Sequence, residues 1–139
     1  MNTTPATHGA LTERRSDRAL TIGLLVLQIG LALMFFMAGG KKLAGDAMMV
    51  GLFDTIGIGQ WFRYLTGTLE VFGALLLLVP RLSGFGASLL SLVMLGAIGT
   101  HLVVLHNSPA VPVVLLLGLM FVAWGRRAQI MDALRRPSA

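Results

Sequence analysis

Residues 62–79 read FRYLTGTLEVFGALLLLV, an apolar run long enough to cross a bilayer with a carboxylate, Glu70, near its middle. A charged side chain at the centre of a spanning helix costs about 2.5–3.5 kcal/mol on insertion scales. A chain keeps one when it faces other helices or a wet cavity and finds a partner. Three more apolar runs surround this one, at 19–40, 84–105 and 111–124. A span takes roughly 20 residues, with about 17–25 usual. The first three runs meet that length. The fourth is shorter, begins among Pro109 and Pro112, and is expected to span with local thinning of the bilayer, the alternative being a partly interfacial segment.

Composition agrees. Of 139 residues, 55% are hydrophobic and 12% are charged, about half the charge of a soluble domain. With no cysteine, disulfides, thiol exchange, thiolate metal sites and cysteine nucleophiles are excluded for this chain. The first run follows Arg14, Arg15 and Arg18, as in a signal peptide, but it is too long for that role and ends in Lys41 and Lys42 instead of a small-residue cleavage site. The expected fold is an all-α integral membrane protein, a four-helix transmembrane bundle over residues 18–125. Residues 1–17 read as a disordered cytoplasmic tail and 126–139 as a basic cytoplasmic tail.

Charge sets the expected orientation. With both termini cytoplasmic, the inner side carries Arg14, Arg15, Arg18, Arg81, Arg126, Arg127, Arg135 and Arg136, and the outer side only Lys41, Lys42 and Arg63. The net charge of +5 is then a topology signal with an attraction to anionic lipid, as in a bacterial inner membrane. No basic stripe with interleaved aromatics suggests nucleic acid. Trp61, Tyr64 and Trp124 stand at run ends, where interfacial aromatics belong.

This topology brings Lys42, Glu70 and His101 to similar depth in the outer third of the bundle. Thr66, Gly67, Gly73 and Ala74 flank Glu70 on its helix face, a small-residue stripe that admits a neighbouring helix. Gln28 is a further polar group, deeper in the first run. Residues 43–60 are too polar to span and too apolar for water, so they are expected as an amphipathic outer loop, either a lid or a surface-lying connector. Each candidate has a plainer reading. Glu70 can be a structural ion pair, Lys42 an interface lysine with its charge in water, and His101 a packing or capping histidine. The three histidines lack metal-ligand spacing, and no phosphate loop, dinucleotide fingerprint or hydrolase elbow is present.

Gly39-Gly40-Lys41-Lys42-Leu43, with Phe53 and Ile56-Gly57, then Gly67-Thr68-Leu69-Glu70-Val71-Phe72-Gly73, resembles the DoxX family, and most of all its DoxX-like branch of small four-helix membrane proteins. The shared pattern is Gly-x-x-Lys-Leu ending the first helix and Gly-x-x-Glu-x-x-Gly in the second, with a looser match at Ala97 to His101. Gln60-Trp61 departs from it where a proline is often found. The resemblance implies membrane redox chemistry on quinols, quinones or thiosulfate, complexes with oxidative-stress enzymes, or, in some relatives, assembly of other membrane proteins. Two functions follow as expectations. In one, a quinone or similar hydrophobic molecule enters from the outer leaflet side, Glu70 and His101 exchange protons with it, and Lys42 stabilises the developing anion. In the other, the chain is a non-enzymatic scaffold for a partner membrane or redox protein. A transport role is weaker and would require a homo-oligomer.

Overall fold

The computed structural model describes residues 6–135. Six helices follow one another: α1 (Ala6–Ala44), α2 (Ala47–Ile56), α3 (Gln60–Leu78), α4 (Ser83–Val103), α5 (Ala110–Gly125) and α6 (Arg127–Arg135). No strand occurs among the described residues. Local chemistry sets the boundaries. α1 closes with Lys41 and Lys42 in its last turn, where cations meet the negative end of the helix dipole. Asp46 then caps α2, its carboxylate accepting from the Met48 and Met49 amides at 3.0 and 3.4 Å. Gly57 (φ +77) ends α2, donating its N–H to the Phe53 carbonyl at 3.2 Å. Pro112 sits in the first turn of α5, where the missing N–H is not needed.

The long helices pack in the cyclic order α1, α3, α4, α5, with α5 returning to α1. Leu31, Ala32, Phe35, Ala74, Leu77, Ala87, Leu90, Met94, Leu119 and Val122 form the buried core between them. Small residues fix the two tightest crossings. A Cβ on Gly39 would lie 2.7 Å from the Gly67 carbonyl, and one on Gly67 would lie 2.9 Å from the Lys42 Cβ. α1 and α3 therefore touch backbone to backbone, the packing favoured where lipid offers no hydrophobic drive. α3 and α4 cross the same way, Gly86 against the Gly73 carbonyl and the Leu77 amide.

The outside of this packing is apolar. In the most apolar stretches of α1, α3 and α4 only 28%, 33% and 22% of residues are buried. Val26, Leu33, Leu92 and Leu117 all point outward. A soluble protein seldom exposes an apolar patch beyond a few hundred Å²; here the outward faces are matched to lipid. The protein is an integral membrane protein. α1, α3 and α4 are each long and apolar enough to cross a bilayer, and α5 reaches that length only together with α6, across a bend of 56°.

The ends differ from the sequence expectation. Of the stretch 1–17, expected as a disordered tail, residues 6–17 are helical, and residues 1–5 lie outside the described residues. Ala10, Leu11, Glu13, Arg14 and Arg15 are strong helix formers, and they extend a helix that the apolar run has already nucleated. The segment 126–139, expected as a plain basic tail, contains α6. Its Ile130 packs over Gly84, and Gln129 ties it to the α3–α4 turn, donating to the Pro80 carbonyl at 2.5 Å and accepting from the Ser83 hydroxyl at 3.2 Å. Residues 136–139 lie outside the described residues. Gln28 joins the same end of the molecule. Its amide donates to the Leu77 carbonyl at 3.1 Å, filling an orphan acceptor in the last turn of α3, and accepts from Arg126 at 3.0 Å.

Candidate functional site

Lys42 and Glu70 meet where α1 crosses α3. The ammonium Nζ donates to Glu70 Oε2 at 2.7 Å, with side chains 13% and 5% exposed. The crossing explains the contact. Gly39 and Gly67, each one turn from the charged residue on its own helix, bring the backbones together, and the lysine reaches across to the carboxylate. Two of the expected trio thus form a direct ion pair, with the geometry of a strong charge-assisted hydrogen bond.

His101 is placed differently. It sits near the end of α4, and its Nδ1 lies 2.6 Å from Asn107 Oδ1. Among the described residues it makes no bond to Glu70. The contact places Asn107 against the Nδ1 edge of the ring.

What joins all three residues is a cavity of about 370 Å³. Glu70 and Thr66 of α3, Lys42 of α1, and Thr100 and His101 of α4 supply its polar positions. The rest of the wall is apolar and draws on five helices: Met34, Phe35 and Ala38 from α1, Phe62 from α3, Val93, Met94 and Ala97 from α4, Val111, Pro112 and Leu115 from α5, and one face of α2. That face is Met49, Leu52, Phe53 and Ile56, with the spacing of a single helical stripe. α2 rests on α3 and α1 and covers this end of the molecule, while Met48 on its far side is exposed. The mixture of an apolar shell with a few convergent polar groups is what small-molecule sites share.

Arg63 is the residue that sequence reasoning missed. It counted there as a peripheral charge, yet it is only 3% exposed. Its guanidinium donates Nη1–H to the Lys42 carbonyl, one of the last carbonyls of α1, and Nε–H to Gln60 Oε1 at 2.6 Å. Gln60 in turn donates to the Val50 carbonyl at 3.0 Å and to Asp54 at 2.7 Å. One chain of bonds therefore runs from α2 through the start of α3 to the backbone of the lysine in the ion pair. The signal available in the sequence was the spacing of Asp54, Gln60 and Arg63 around Gly57 and Gly59, a polar cluster beside a turn.

Chemically, the site can donate hydrogen bonds from Lys42, move a proton between Lys42 and Glu70 without changing its net charge, and accept one at His101. No curated protein and no solved structure matched this chain. A family model, described as the DoxX-like family, matches residues 26–124 and so covers the ion pair, the glycine crossing, α2 and the cavity walls. On that match the chain belongs to the DoxX-like family.

Proposed function

We propose that this protein is a redox-associated membrane component whose cavity receives a quinone or a similar hydrophobic molecule, with Lys42, Glu70 and His101 as the working groups. The observation that carries the reading is a buried ion pair on the wall of an apolar cavity. A purely structural pair has no need of empty space beside it. A quinone becomes a quinol by taking up a pair of electrons and a pair of protons. In this reading a partner redox protein supplies or removes the electrons. The chain's own residues do the rest: Lys42 donates a hydrogen bond to the oxygen on which charge develops, and Glu70 and His101 hand protons on. The surrounding frame in this reading is a four-helix transmembrane bundle with α5 and α6 completing the fourth span, α2 on the outer surface of a bacterial inner membrane, and both termini cytoplasmic.

Glu70→Gln tests the role of the pair. The amide keeps the volume and an acceptor for Lys42 but cannot ionise. The expected result is loss of quinone turnover, or of binding, in a protein that expresses and assembles normally. If Glu70→Gln and Lys42→Met instead lose stability in parallel and no ligand is found, the pair is structural, and the protein is a scaffold or assembly subunit for a partner membrane protein.

A further inference from the structure

We infer that the ligand is electrically neutral at its head, carries an apolar tail, and enters sideways from the bilayer between α1 and α5; this rests on the quinone-type reading of the cavity. The charge argument comes first. Among the described residues, the wall holds one ammonium, Lys42, and one carboxylate, Glu70, which together sum to zero wherever the shared proton sits, besides the imidazole of His101. A carboxylate or ammonium headgroup would add an uncompensated charge to an apolar enclosure, which is expensive. A carbonyl oxygen adds none. It needs only a donor, and the Lys42 ammonium has three N–H groups, one of them committed to Glu70.

The route follows from where α1 and α5 touch and where they part. Gly118 and Gly125 of α5 pack against Leu31 and Leu24 of α1. One turn further along α1, Met34 lines the cavity, and across from it so does Val111. Both are also turned outward, 54% and 66% exposed. A residue that is at once cavity wall and outer surface marks a mouth, and this mouth lies on a helix face matched to lipid. The end of the cavity facing α2 is roofed instead, and the roof is tied down through Asp54, Gln60 and Arg63. An amphiphile seated with its carbonyl at Lys42 would leave its tail in the gap beside Met34, still among apolar neighbours.

The test compares three probes on protein in lipid nanodiscs: a benzoquinone with a decyl chain, the same ring without the chain, and decanoate. The wild type is expected to bind the decyl quinone at least about tenfold more tightly than either of the others. The double variant Met34→Phe, Val111→Phe, which narrows the mouth at lipid-facing positions, is expected to lose about tenfold for the decyl quinone and less than about twofold for the bare ring. Val26→Phe, a like enlargement at a lipid-facing position outside the cavity wall, keeps full affinity, and so separates a blocked entrance from a general effect of added bulk. Decanoate binding as tightly as the decyl quinone overturns the neutral-head argument. Equal loss for both rings, or no loss for either, overturns the lateral route while leaving the quinone reading intact. If neither ring binds the wild type, the quinone reading itself fails and this inference falls with it.

Discussion

Replacing Gly39 with alanine adds a single methyl group where two helix backbones touch. That carbon would stand 2.7 Å from the Gly67 carbonyl oxygen, 2.9 Å from Val71 Cγ2 and 3.1 Å from Glu70 Cβ. The nearest neighbour is backbone and cannot rotate away. Ordinary contact begins at 3.4 Å, so α1 and α3 must separate by about 0.7 Å at the crossing. Overpacking of this kind costs about 1–3 kcal/mol. At about 3–4 °C per kcal/mol for a chain of this size, the melting temperature in detergent should fall by roughly 3–12 °C. The next residue supplies the control. Gly40 has nothing within 4 Å of its Cβ position, so Gly40→Ala should hold or gain, by up to about 1 kcal/mol of helix propensity. Lys42 is long and flexible enough to follow Glu70 through so small a displacement, so ligand binding should suffer less than stability. Equal melting of Gly39→Ala and the wild type, or an equal fall in both alanine variants, would refute the close-crossing argument.

Arg63→Met should lower stability by about 1–3 kcal/mol, because it strands the Lys42 carbonyl and frees Gln60; Arg63→Lys should not restore it, since an ammonium cannot reproduce the guanidinium fork, and thermal melting of both variants decides the matter. Gln28→Leu leaves the Leu77 carbonyl without its donor and is expected to cost about 1–3 kcal/mol by the same measurement, without changing ligand affinity, because Gln28 serves the opposite end of the molecule from the cavity. Cysteines introduced singly at Asp46 and at Ser138, into a chain that has none of its own, should react with an impermeant thiol reagent from opposite faces of the membrane; reaction from one face alone would contradict the proposed topology. Ser138 lies outside the described residues.

Much of the membrane character and part of the site were legible because each is an exception to a local rule. Glu70 stood out as a carboxylate in an apolar run, and Gly67, Gly73 and Gly39 as small residues on the same faces as the charges. Shared depth and the small-residue face around Glu70 suggested that Lys42 and Glu70 would meet, and the glycine crossing is what brings them to 2.7 Å. What stayed hidden depends on distance along the chain or on side-chain direction. Arg63 bonds a carbonyl 21 residues away; the polar cluster of Asp54, Gln60 and Arg63 beside a turn hints at local bonds but not at that distant partner. His101 shared the depth of Glu70 but turned its Nδ1 to Asn107 in the following loop. α6 was obscured by its charge: Arg127, Asp132 and Arg135 read as a solvated tail, and the contacts that order it, Ile130 on Gly84 and Gln129 on Pro80, join segments nearly fifty residues apart.

The central claim is that the space beside the Lys42–Glu70 pair is a ligand site. A photoreactive quinone bearing a decyl chain, applied to the purified protein in nanodiscs and mapped by peptide mass spectrometry, tests this most directly. The account predicts labels on the cavity walls, at Met49 or Phe53 of α2 and at Met94 or Ala97 of α4, suppressed by excess unlabelled quinone and lost in Glu70→Gln. Labels spread over lipid-facing positions such as Val26, Leu92 and Leu117, indifferent to competitor and to Glu70, would contradict it.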